Sequence, residues 1–116
     1  MIVDLPKCAA EEGTYLLKVT LIDEDGETTM PKTFKWSLSD DAGTIINNRK
    51  DVTGSPGNPT EVLLKGDDLK LQNAGDLGWR RFTARMTYDS TRGTDLPANG
   101  ECRLYVQGMV NVPTPT

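Results

Sequence analysis

An all-β sandwich or barrel of about seven short strands is the fold this sequence predicts, on three observations. Apolar residues recur with a period of two, turn residues separate the runs, and no apolar stretch keeps a helical period beyond a single turn. The 116 residues provide for one domain, and a chain of this size buries roughly two-thirds of its unfolded surface. Gly and Pro supply 11 and 7 residues, grouped in clusters that suit short strands joined by turns.

The first long run sets the pattern. Tyr15, Leu17, Val19 and Leu21 alternate with Leu16, Lys18, Thr20 and Ile22, and Asp23-Glu24-Asp25-Gly26-Glu27 ends the strand at an Asp-Gly turn. After Pro31 the alternation resumes: Phe34, Trp36 and Leu38 face one way, Lys35 and Ser37 the other. Ser39-Asp40-Asp41-Ala42-Gly43 makes the next turn, and 44–47 reads as a short apolar strand. Residues 48–59 form the longest loop, with two prolines and two glycines.

The second half repeats the pattern. A strand centred on Val62, Leu63 and Leu64 leads into Gly66-Asp67-Asp68-Leu69, the start of one helical turn capped by an Asp side chain. Residues 79–88 form the longest clean strand, with Phe82, Ala84, Met86 and Tyr88 on one face and Arg81, Thr83, Arg85 and Thr87 on the other. A loop is expected over 89–100. The last strand, 101–110, points Cys102, Leu104, Val106, Gly108 and Val110 inward and Arg103, Tyr105, Gln107 and Met109 outward.

Residues 1–12 read as an N-terminal arm or edge strand, 13–111 as the domain and 112–116 as an extended tail. A Trp in the third strand and a helical turn before a long late strand fit an immunoglobulin-like β-sandwich. The cysteine pair that links the two sheets of antibody domains is missing.

Composition narrows the function classes. The net charge of −4 opposes nucleic acid as main partner, because backbone binding relies on cations that neutralise phosphates. The acidic excess lies in residues 1–58, and charge is balanced over 59–116. No apolar run reaches the roughly 18–20 residues of a membrane span. Met1-Ile2-Val3-Asp4-Leu5-Pro6 lacks the basic region and long apolar stretch of a signal peptide, although a mature chain cleaved from a leader would read the same way. Cys8 and Cys102 match no metal or redox spacing and read as two reduced thiols or a terminal disulfide.

No enzyme constellation is legible, and no cofactor or metal is expected. The absence of histidine removes Ser-His-Asp and Cys-His catalysis and nearly every zinc or haem site. No glycine-rich loop opens a helix to cradle phosphates. The pairs Asp23/Asp25, Asp40/Asp41 and Asp67/Asp68 each fall in a turn, where Asp stabilises the backbone, although a glycosidase needs two such groups. The Asp23–Glu27 run offers oxygen ligands to a hard cation but lacks the spacing of an EF-hand loop. One surface stands out. If the last two long strands pair, Arg81, Arg85 and Arg103 share an outward face with Tyr105 and Met109, residue types that anchor protein interfaces. The same cations would also serve an ordinary solvated face by discouraging edge pairing.

Several runs resemble small Ig-like proteins of tailed-bacteriophage structural genes. They are Val19-Thr20-Leu21-Ile22-Asp23-Glu24-Asp25-Gly26, Phe34-Lys35-Trp36-Ser37-Leu38-Ser39-Asp40 and Leu64-Lys65-Gly66-Asp67-Asp68-Leu69. Thr87-Tyr88-Asp89-Ser90 and Gly93-Thr94-Asp95-Leu96-Pro97 belong with them. The likeness covers most of 13–110 and consists of turn and strand signatures. It implies a non-enzymatic virion protein, made in the bacterial host cytoplasm, of capsid-decoration or cement type. The partners implied are major capsid, neck or tail subunits and further copies on the particle, with no nucleic acid and no membrane. A free-standing bacterial-surface module that recognises carbohydrate or protein is the other expectation.

Overall fold

The computed structural model describes residues 2–4, 9–10 and 13–108, with the backbone alone for the first two segments. Strands β1 (Ile2–Asp4), β3 (Thr14–Ile22), β4 (Thr28–Thr29) and β7 (Thr60–Lys65) form one sheet. Strands β2 (Ala9–Ala10), β9 (Gly93–Gln107), β8 (Trp79–Ser90), β5 (Thr33–Ser39) and β6 (Val52–Thr53) form the other, in that spatial order. The neighbours are antiparallel except β2, which runs parallel to β9. The described residues are therefore all-β, with one 3-10 turn at Gly66–Leu69.

Alternation positions the core. Tyr15, Leu17, Val19, Leu21, Val62 and Leu64 project from the first sheet onto Phe34, Trp36, Leu38, Phe82, Met86 and Leu104 of the second. Trp36 stacks on Phe82 with ring centroids 5.7 Å apart. A one-residue slip in any of these strands would send its whole apolar set to solvent, so burial fixes the register.

Three expectations need correction. Residues 89–100 are not a loop: β8 runs to Ser90, the chain turns at Thr91–Arg92, and β9 starts at Gly93. The pairs Met86↔Ala98, Thr87↔Pro97 and Tyr88↔Leu96 hold this extension, so cross-strand contact overrides turn-rich composition. Pro97 is tolerated because, among the described residues, β2 reaches β9 only at Val106 and Gln107, which leaves the strand an edge at the proline. Residues 44–47 contribute only the bridge Ser39↔Ile45, since Asn47 and Asn48 turn the chain with positive φ. Gly108 lies exposed beyond the end of β9, and Val110 lies outside the described residues.

The acidic turns are built from side chain to backbone. The Asp23 carboxylate accepts the N–H groups of Asp25 and Glu27 at 2.9 and 3.0 Å, and that of Asp40 accepts those of Ala42 and Thr44 at 2.9 Å. Asp68, fully buried, takes the Lys65 N–H at 3.2 Å and the side chains of Arg49 and Asn47 at 2.7 and 2.8 Å. Burial raises its carboxyl pKa, but these donors outweigh that effect and the net direction is downward. Arg49 thereby pins the 47–50 turn over Trp36, 5.8 Å from the ring centroid.

Candidate protein-contact face

Odd-numbered residues of β5, β8 and β9 point away from the core, and register sorts them into rows. From one end these are Trp79–Tyr105, Ser39–Arg81–Arg103, Ser37–Thr83–Glu101, Lys35–Arg85–Asn99 and Thr33–Thr87–Pro97. Arg81, Arg85, Arg103 and Tyr105 thus share one sheet face, while Met109 lies outside the described residues.

At the Trp79 end the charges cancel. Asp41, from the turn after β5, accepts from Arg103 through Nη2 and Nε and from Arg81 Nε at 3.3 Å. Arg81 Nη1 also reaches Glu101 Oε1 at 3.0 Å. The Arg103 hydrogen bond holds the Asp41 carboxyl below the usual carboxylate range. Arg81 is pushed the other way, first by Glu101. Two guanidiniums facing two carboxylates leave this cluster neutral. The central guanidinium carbon of Arg103 lies over the Trp79 indole, 3.9 Å from its centroid, and Tyr105 tilts against the same ring at 5.1 Å. An exposed cation–π contact contributes about 0.5–1 kcal/mol, so its main effect is to order the guanidinium and ring. Trp79 stays 37% exposed and the neighbouring Leu77 77% exposed.

This cluster is fastened from below. Arg80, the residue between Trp79 and Arg81, points inward and is fully buried. Its Nη2 donates to Asp76 at 2.6 Å and to the Lys70 carbonyl at 3.2 Å. Its Nη1 donates to Asp76 at 3.1 Å and the Trp79 carbonyl at 2.9 Å. Only Nε lacks a partner among the described residues. Asp76 also accepts the N–H groups of Gln72 and Gly78, and its pKa falls to about 2, chiefly through Arg80. Gly78 has φ +85, and a Cβ there would sit 2.2 Å from the Val106 carbonyl oxygen, so glycine is required. Beside Trp79 a shallow groove of ≈ 300 Å³ opens between Asp40, Gln72, Asn73, Asp76 and Leu77.

The far end of the face differs. Lys35 and Arg85 stand opposite each other with no ion-pair partner among the described residues, next to Asn99. The Thr33 and Thr87 hydroxyls meet at 2.7 Å, and the whole forms a depression of ≈ 310 Å³.

Four participants were not among the expected contact residues. Alternation had already turned Lys35 outward, and Trp79 shares the parity of Arg81. Asp41 and Glu101 needed the three-dimensional arrangement. Cys102 faces inward as expected, half-buried and free, with its thiol pushed up to about 11 by burial and then by Glu101. That value makes it a poor nucleophile near neutral pH. Cys8 lies outside the described residues. Comparison of the chain with protein-family models, curated proteins and solved structures found no match.

Proposed function

We propose that this chain is a non-enzymatic structural protein of a tailed-phage virion, of capsid-decoration type, on an immunoglobulin-like sandwich. It binds other virion proteins through the outward face of β5, β8 and β9. The Ig-like reading draws support from a first strand split between sheets, β1 to β3 and β2 to β9. The β5–β8–β9 order opposite β3–β7 and the buried Trp36 of β5 add to it. The docking role is carried by one observation: Trp79, Tyr105 and Arg103 stand partly exposed and already ordered on rigid strands. These residue types dominate interface anchors, and pre-ordering lowers the entropy cost of association. Many copies on a symmetric shell would add weak contacts by avidity.

Quantitative mass spectrometry of density-purified particles tests this, counting the chain against the major capsid protein. A ratio near one, or a simple fraction of it, supports head decoration. A handful of copies per particle moves the role to neck or tail. Absence from intact particles overturns the virion reading. The groove beside Trp79 favours a second reading, a free-standing module that binds carbohydrate. Its amide and carboxylate walls around an exposed indole suit sugar hydroxyls. Trp79-dependent binding on a glycan array, together with absence from particles, would establish that alternative.

A further inference from the structure

We propose that Lys35 and Arg85, with Asn99 and the Thr33–Thr87 hydroxyl pair, form a site for the carboxylate of an acidic side chain on a partner protein. The proposal rests on the docking role given to this face and names the chemistry at one end of it.

Three observations carry it. First, Lys35 and Arg85 are registered neighbours, and like charges directly opposite on a sheet repel. Elsewhere the chain neutralises its arginines. Arg49 pairs with Asp68, Arg80 with Asp76, Arg81 and Arg103 with Asp41, and Arg92 with Asp25, all within 3.3 Å. Arg85 is the exception among the described residues, in a chain with 17 acidic side chains and 13 basic ones. Second, the donors converge. The Asn99 amide stands across from Arg85, and two hydroxyls that share one hydrogen bond keep one O–H to offer outward. The lining of the ≈ 310 Å³ depression includes these donors and Met86, a shape that takes a side chain.

Third, the surroundings select the size of the anion. Asp51 also lines the depression. On one side Glu101 is held by Arg81, and on the other Asp89 and Asp95 take Lys32 at 3.3 and 2.7 Å. An extended polyanion such as nucleic acid or an anionic membrane would meet carboxylates on both flanks. A single carboxylate meets two cations against the one carboxylate of Asp51, so the depression keeps a net charge of +1 for it to neutralise. Arg85 and Lys35 can each give it a charge-assisted hydrogen bond, the strong class of such bonds.

The test is a ¹⁵N–¹H NMR titration of the full chain with the capped peptide acetyl-Gly-Glu-Gly-Glu-Gly-amide. The Gln-for-Glu peptide and inorganic phosphate serve as comparison probes. The expected result is saturable shifts centred on the amides of Lys35, Arg85 and Asn99 with the Glu peptide and none with the Gln peptide. Arg85→Gln and Lys35→Gln should each weaken binding roughly ten-fold, while Lys18→Gln, on the opposite sheet, leaves it unchanged. The same spectra report whether each variant is folded. Equal shifts from the Gln peptide, or shifts centred on Arg103, overturn the proposal. Tighter saturation by phosphate than by the Glu peptide overturns the assignment to a protein partner. Failure here leaves the particle count untouched, and absence from particles leaves this titration untouched, so the two claims fail separately.

Discussion

The two ends of the β5–β8–β9 face use the same residue types to opposite effect. At the Trp79 end, two arginines are matched by Asp41 and Glu101, stacked on aromatic rings and anchored beneath by the buried Arg80–Asp76 pair. At the other end, Lys35 and Arg85 face one another unmatched over a depression. The first arrangement satisfies its charges within the chain and presents a shaped, neutral, aromatic surface. The second leaves a local repulsion that a partner's carboxylate would relieve. An arginine on a sheet face therefore identifies a contact site only after its own partners are known.

The largest effect should come from removing the anchor. Asp76→Ala leaves Arg80 charged and buried without its carboxylate, and breaking such a pair costs about 3–5 kcal/mol. Urea unfolding would read this as a lower midpoint with unchanged slope. The pH dependence has a definite sign. Asp76 titrates at about 2 when folded against an ordinary 3.8, so its stabilisation is complete above about pH 5 and lost as pH falls through 2. Asp76→Asn should flatten the stability curve in that window. Gly78→Ala follows, at about 2–3 kcal/mol. It combines positive φ with the collision against Val106 and should disturb Trp79 fluorescence as well as the unfolding midpoint.

Asp41→Asn should abolish the difference between the two ends. The pairs are surface-exposed, so stability changes by less than about 1 kcal/mol. Arg103 loses its carboxylate, and the neutral end becomes basic. The acidic peptide should then shift Arg103 and Tyr105 amides that are silent in the wild type. The smallest effect has the opposite sign. Lys35→Gln removes a like-charge pair and should stabilise the fold by about 0.2–0.5 kcal/mol, read as a small rise in Tm that shrinks in high salt.

Alternation made most of the fold legible. The inward sets of β3, β5 and β8 were readable because burial of one face leaves a period of two, whereas the apolar run Val62-Leu63-Leu64 of β7 did not reveal that Leu63 faces outward. The extension of β9 was not. Gly93, Asp95, Pro97 and Gly100 are turn formers, and only their pairing with β8 makes them a strand. The burial of Arg80 shows the same limit in another form. Parity pointed it inward, but nothing local announced that the Asp76 carboxylate, the Lys70 carbonyl and the Trp79 carbonyl would converge on it. Four of the five candidate contact residues do share a face. Which of them is free to act depended on Asp41 and Glu101, and the opposition of Lys35 to Arg85 depended on register across fifty positions of chain.

Docking through this face is tested most directly by hydroxyl-radical footprinting of purified phage particles against the free protein. The opposite sheet provides the internal reference, because its outward face carries the exposed cross-strand pair Leu16 and Leu63. The account predicts that Trp79 and Tyr105 lose reactivity on the particle while Leu16 and Leu63 keep theirs. Unchanged labelling of Trp79 and Tyr105, with protection moved to Leu16 and Leu63, would contradict it.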